Sequence, residues 1–320
     1  MTCSKDIKKM PQGLHKYKAS EILSGLSRFE SEIQRLPGIS DPRSRHTFAM
    51  QIISSLRRVE YIRSISNRSI NANRCIPTSA LFDPLRAAAL LSRRRDFDEA
   101  VWMTFIATHF GKHLHDGWKL AANVTGSFGD GPIWTAALYN TDRLHFEKML
   151  KNNQINLNNP AVSGRYSNHR QYQSKNSNSI ARVFQTFFDW QFAEGGFLNK
   201  INHTHRLFGQ NPTQTFDALF HSMKGVYGFG RLGKFDFLAM VGKLQIAPIE
   251  PCSVYLHGAT GPLAGAKLLF YGSRNHFVKT ANLQESVDEL DRYIQIGKQP
   301  LEDSLCNWQK SPLTYIYFKG

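Results

Sequence analysis

At 320 residues the chain is long enough to bury a large core, as one big domain or as two lobes. Lysine and arginine number 40 against 25 aspartates and glutamates, a formal net charge of +15, which points to a polyanionic partner, nucleic acid first. No apolar run approaches the roughly 20 residues that span a bilayer, MTCSKDIKKMPQ lacks the apolar region of a secretory signal, and Cys3, Cys75, Cys252 and Cys306 form no Cys-x-x-Cys pair, so reduced thiols in a cytoplasmic protein are expected.

Ile22, Leu26, Phe29 and Ile33 recur at helical spacing and predict a helix over 20–36. Leu36-Pro37-Gly38, followed by Ile39-Ser40-Asp41-Pro42, reads as a helix stop and turn, because proline cannot continue a helix. Phe48, Ile52, Ile53, Leu56 and Val59 mark a second helix, which ends near the cluster Arg57, Arg58, Arg63, Arg68 and Arg74. A second cationic run, Arg93 to Arg95, precedes a helix over 98–110 whose first residues are acidic, as suits a helix N-terminus. His109 and His113 share one face if that helix continues past Gly111, a spacing able to grip zinc. No glutamate stands beside the first histidine and no third ligand is evident, so no metal is expected, and packing or phosphate contact is the better reading.

GSFGDG, Gly126 to Gly131, lacks the preceding strand and the Lys-Ser/Thr of a phosphate loop and reads as a plain loop. The Asn/Ser-rich segment 151–178 reads as the longest loop, and Val254-Tyr255-Leu256 as a short extended piece. Further helices are expected over 144–150, 180–192, 213–227, 235–244, 262–270, 287–296 and 301–308, with no internal repeat. The fold class is all-α.

The helical run 213–227 leads into Gly228-Phe229-Gly230-Arg231, then into a second apolar helix and an extended Ala247-Pro248-Ile249-Glu250. Two glycines let such a turn take positive φ and approach a phosphate closely, and the free N–H groups opening the next helix add a phosphate site. An ordinary turn between core helices explains Gly-Phe-Gly taken alone; the carboxylate downstream makes the pattern more specific. The stretch resembles the helix-hairpin-helix of the DNA glycosylase superfamily, in which the hairpin is followed at this spacing by the catalytic aspartate. The resemblance implies DNA contacts from Gly228, Gly230, Arg231, Gly233 and Lys234, with Arg57 and Arg58 added by charge. It implies a catalytic carboxylate at Glu250. Glycosylases of this fold use aspartate there, and the extra methylene shifts the carboxylate enough to matter, so Asp236 and Asp116 stand as alternatives. The lysine of bifunctional members falls on Leu232, which cannot form a Schiff base, while Lys234 is aimed elsewhere.

Five ordered motifs narrow the resemblance: RRDFDEAVWMTFIATHFGKHLHDGW (Arg94 to Trp118), HRQY (His169 to Tyr172), FGRLGKFD (Phe229 to Asp236), GATGPLAGAKLL (Gly258 to Leu269) and LCNWQK (Leu305 to Lys310). From about Phe48 to Lys310 the chain is similar to the alpha-glutamyl/putrescinyl thymine pyrophosphorylases, clade three. That family implies a helix-hairpin-helix glycosylase-like fold: two helical lobes, 1–95 with 252–320 and 96–251, with a DNA/base cleft between them and the hairpin unit at 213–250. It implies action on hypermodified bases in phage DNA. The motif residues His109, Lys112, His113, Trp118, His169, Arg170, Tyr172, Trp308 and Lys310 are the expected base pocket. Three functions follow. The first is a monofunctional DNA glycosylase that excises a modified base, such as a glucosylated pyrimidine, from double-stranded DNA as anti-phage defence. The second is a transferase that displaces pyrophosphate from a modified thymine with an amine or amino acid, for which Lys112, His113, Arg170 and Lys310 would hold the leaving group. The third is a non-catalytic reader of modified DNA. No cofactor, membrane or obligate protein partner is called for, and the four scattered cysteines cannot hold a four-cysteine iron–sulfur cluster.

Overall fold

The structure, a computed structural model, describes residues 16–318; Cys3 lies outside them. In chain order the helices are α1 (Lys16–Glu32), α2 (Pro42–Ser66), α3 (Pro84–Arg93), α4 (Phe97–Phe110), α5 (Lys119–Thr125), α6 (Ala136–Thr141), α7 (Arg143–Asn152) and α8 (Gln154–Asn158). They continue as α9 (Pro160–Ser163), α10 (Ser177–Phe192), α11 (Phe197–Phe208), α12 (Pro212–Ser222), α13 (Arg231–Lys243), α14 (Gly261–Tyr271), α15 (Thr280–Ile294) and α16 (Lys298–Trp308). Among the described residues no strand occurs, only an isolated bridge between His113 and Gly117, so the fold is all-α. None of the described helices is long and apolar enough to cross a membrane.

Local chemistry explains where the expectations and the structure part. Segment 151–178 is not one loop: it folds into the end of α7, the short helices α8 and α9, and a 3-10 turn. Its asparagines are helix starters, with Asn159 accepting from the Ala161 N–H and Asn176 from those of Asn178 and Ser179. Val254-Tyr255-Leu256 and 247–250 form no strand. Val254 and Leu256 are buried as irregular backbone, the Leu256 N–H donating to Gln284 Oε1 at 3.0 Å. The expected helix 213–227 ends at Ser222 and passes into a 3-10 turn at Met223–Gly225. Helix α4 stops at Phe110, where Gly111 caps it at φ +64°, so His109 and His113 do not share a helix face. Instead His113 and Gly117 close a tight turn with paired backbone bonds of 2.9 and 3.0 Å.

Among the described residues two compact units emerge, one from 16–60 and 253–318, the other Tyr61–Cys252. The first buries Leu26, Phe29, Phe48, Ile52, Leu269, Leu290, Leu301 and Trp308 in one cluster. A Cβ on Gly265 would lie 2.2 Å from the Leu305 carbonyl oxygen, so α14 and α16 touch backbone to backbone there. The second unit is built around aromatics. Trp102 on α4 meets Phe105, Tyr139 and Phe184 at ring separations of 5.2–5.5 Å. Its indole N–H donates to the Trp134 carbonyl at 2.9 Å, which satisfies its one polar atom. Trp134 in turn donates to Ser127 Oγ, and that hydroxyl donates to the Pro132 carbonyl, so GSFGDG is a structural loop.

Candidate functional site

In the second unit, the turn between α12 and α13 is rooted by its central residue. Phe229 is buried with its ring 5.8 Å from Phe105 and 6.3 Å from both Phe187 and Phe237. Of its flanking glycines, only Gly228 takes positive φ (+71°); Gly230 sits at φ −68°, ψ −171°, backbone that any residue adopts. The expectation of two left-handed glycines therefore fails at the second. A Cβ on Gly228 would lie 3.1 Å from the Gln173 side chain, whose amide donates to the Gly228 carbonyl at 2.8 Å. A Cβ on Gly230 would meet nothing within 4 Å, and the residue is exposed. Gly233 is buried, and a Cβ there would sit 3.3 Å from the Phe229 ring.

Cations ring this turn. The Arg231 guanidinium lies over the Phe235 ring at 5.0 Å and the Lys234 ammonium over Phe220 at 4.2 Å. Partial burial, with Lys224 nearby, lowers the Lys234 pKa. Tyr227, half-exposed, donates its N–H to Thr186 Oγ1 at 2.9 Å and carries the Arg182 guanidinium 4.3 Å above its ring. Sequence reasoning missed Gln173, Arg182 and Tyr227. Gln173 and Tyr227 lie close to motifs, and Arg182 carries no sequence signal at all, because partners from α10 and the 171–176 segment are brought there by folding.

Behind the turn lies a buried polar cluster. Arg170 is 5 % exposed, donates Nε to the Thr108 carbonyl at 2.8 Å, Nη1 to Tyr172 Oη at 3.2 Å, and Nη2 to Asp236 Oδ2 at 2.6 Å. His109, the last buried polar residue of α4, stacks 5.8 Å from Phe105 with Nε2 3.4 Å from Tyr166 Oη. Tyr166 donates its one proton to the Ser174 carbonyl at 3.3 Å. His109 Nε2 must then carry the hydrogen of the His–Tyr contact, which leaves Nδ1 as a lone pair without a partner. Burial, reinforced by the Arg170 charge, pushes the His109 pKa down to about 3, so the ring is neutral.

Asp116 belongs to a separate, shallower group. Arg165 grips it bidentately, Nε to Oδ2 and Nη2 to Oδ1 both at 2.8 Å, and those bonds hold its carboxyl down at about 2. His113 Nδ1 accepts the Asp116 N–H at 3.1 Å. Glu250 differs from both aspartates: it is exposed, and its side chain makes no hydrogen bond or ion pair. Its N–H approaches the Pro212 carbonyl at 3.4 Å, which ties the residue back to the start of α12.

The remaining expected residues are scattered. Lys112, His169 and Tyr172 are exposed, and Trp118 is buried at the start of α5 with its indole N–H unsatisfied. Arg57, Arg58, Trp308 and Lys310 fall in the first unit. There Arg57 is exposed, and Arg58 bonds Asp303 through Nε at 3.1 Å. Trp308 is fully buried against Phe48 at 5.0 Å, and Lys310 donates to Asn307 Oδ1 at 2.9 Å. No group of three or more histidines, cysteines and acids placed to hold a metal ion occurs among the described residues.

No curated protein and no solved structure matches the chain. One family model does, that of the alpha-glutamyl/putrescinyl thymine pyrophosphorylases, clade 3, and it covers residues 43–320. With most of its length matched, the chain belongs to that family.

Proposed function

We propose that the protein is a glycosylase-like enzyme that excises a modified base from double-stranded DNA, with α12, the Gly228–Gly230 turn and α13 acting as a helix-hairpin-helix. The observation that carries this reading is the contrast among the three acids. Asp236 is bonded to Arg170 and Asp116 to Arg165, whereas the Glu250 carboxylate is exposed and unpaired just beyond α13. A group meant to meet a sugar must be free to face it.

In this reading the duplex phosphate lies on the N–H groups that open α13, with Arg231, Lys234 and Arg182 around it. The target nucleotide leaves the stack. Positive charge develops at C1′ as the bond to the base lengthens and the base departs with the bonding electrons. Glu250 stabilises that charge and accepts the proton of the water that adds to C1′, giving an intact abasic site. Glu250→Gln should therefore keep DNA affinity and lose the chemical step by at least about a hundredfold, the usual scale for one electrostatic catalytic group. The assay is alkali-dependent cleavage of a synthetic duplex carrying a modified thymine. Activity within a few-fold of wild type would take Glu250 out of the mechanism.

The family's description favours a second reading, displacement of pyrophosphate from a modified thymine by an amine. It needs cations at the leaving group. Of the four side chains named for it, Lys112 is exposed, His113 accepts the Asp116 N–H, Lys310 donates to Asn307, and Arg170 is already committed to Thr108, Tyr172 and Asp236. Pyrophosphate release on adding an amine, without abasic sites, would establish transfer in place of excision.

A further inference from the structure

The connection between α14 and α15, residues 272–279, displays one large apolar side chain almost wholly to solvent: Phe277 is 94 % exposed. Single exposed apolar residues are common; this one is held out by its neighbours. The preceding His276 ring stacks on Tyr271 at 4.0 Å and 11° between planes. The following Val278 packs against the core of the first unit. Arg274 donates Nη2 to the Gln309 carbonyl, and the Asn275 N–H bonds Ser273 Oγ at 3.3 Å. The backbone on both sides of Phe277 is thus tied to the protein, and the ring is what the loop presents.

Its surroundings select the partner. No aspartate or glutamate occurs between Glu250 and Glu285, while Arg274, His276 and Lys279 flank Phe277 in sequence. Arg274 has donors left after its one bond to Gln309, and Lys279 is exposed. An aromatic ring between two cations fits a stack of bases between two phosphates. It fits a lipid surface poorly, since one buried side chain gives only weak membrane anchoring.

We propose that Phe277 is a wedge for duplex DNA: its ring enters a base step while Arg274 and Lys279 take the flanking phosphates. This assigns to the first unit a DNA contact of its own, and it rests on the reading that DNA is the substrate.

The test compares wild type, Phe277→Ala and Phe277→Trp for affinity to a labelled duplex at fixed salt, with anionic phospholipid vesicles in parallel. Charge is the same in all three, so differences report stacking. Thermal melting should be unchanged in Phe277→Ala, because the ring touches little. Affinity for the duplex should fall at least about fivefold in Phe277→Ala, the lower end for a base stacked on an aromatic, and stay within about twofold in Phe277→Trp. Equal duplex affinity in wild type and Phe277→Ala would overturn the wedge, as would equal weakening by Ala and Trp. Loss of vesicle binding alone in Phe277→Ala would assign the ring to a membrane instead. Wild type with no affinity for any duplex would remove the DNA reading itself, and the wedge with it.

Discussion

Arg170 and Asp236 are joined by a 2.6 Å charge-assisted hydrogen bond in which the guanidinium is buried and the carboxylate reaches toward the surface of α13. The pair links the 164–176 segment to the helix that follows the glycine turn. Removing a buried cation that bonds a carboxylate and the Thr108 carbonyl leaves that carbonyl without its donor and the half-solvated Asp236 charge without its partner. The exposed Tyr172 hydroxyl, by contrast, can turn to water.

Arg170→Met should therefore destabilise the protein by about 2 kcal/mol, less than for a fully buried pair because Asp236 is partly solvated. For a unit of this size that is a fall in Tm of about 4–8 °C. The double variant Arg170→Met/Asp236→Asn should recover part of the loss, since the stranded charge is gone. Calorimetry on the single and double variants checks both statements; additive losses would show that the two side chains are not coupled.

Affinity for unmodified duplex should drop roughly tenfold or more between 50 and 200 mM salt, as for any site built on several phosphate contacts. Gly230→Val should weaken that binding while leaving melting unchanged, because a Cβ at Gly230 meets nothing within 4 Å of the protein. Gly228→Val should instead destabilise the fold: its φ of +71° is strained for valine, and Gln173 and Val183 already crowd the position. A salt-independent affinity would take the phosphate backbone off the list of contacts.

Borohydride should trap no covalent adduct with DNA, and strand breaks should appear only after alkali. In the proposed helix-hairpin-helix reading the position that serves bifunctional glycosylases falls on Leu232, and Lys234 lies over the Phe220 ring. The lowered pKa of Lys234 makes this a demanding test, since an amine nucleophile needs that same shift. An adduct that vanishes in Lys234→Ala would show the lysine attacking C1′ in place of water.

Acid should act in two windows. His109 has its pKa lowered from 6.5 to about 3 by burial, so the unfolded chain takes up a proton there that the folded chain refuses. Stability from this group is complete above about pH 6.5 and is lost progressively as pH falls toward 3. Asp116, lowered from 3.8 to about 2 by Arg165, contributes stability that is present above pH 3.8 and lost as pH falls through about 2. Urea midpoints against pH should accordingly flatten between pH 6.5 and 4 in His109→Gln, and remain steep there in Arg165→Ala.

The long amphipathic helices were legible in sequence because burial against one face imposes its period: Ile22, Leu26 and Phe29 are all in the core, while Ile33, the fourth residue of that pattern, lies past the end of α1 and is exposed. Helix α11, Phe197–Phe208, was not anticipated. Its apolar positions are diluted by Asn199, Lys200, His203 and His205, and Lys200 is buried because it pairs with Glu194. The turn between α12 and α13 was visible through its glycines, yet what holds it was not. Gln173 and Arg170 come from an Asn/Ser-rich stretch whose composition suggested a loop, and no local pattern reports a side chain that bonds to backbone far along the chain. Ion pairing separated the three candidate acids, and that is a property of tertiary neighbours alone.

The buried Phe229 ring gives the glycine turn a consequence for recognition. With its middle residue embedded among Phe105, Phe187 and Phe237, the turn has almost no freedom left to lose when a ligand arrives. In the proposed DNA-binding reading, adaptation must then come from the DNA. Sequences that kink easily would then be favoured over stiff ones even where no base is touched.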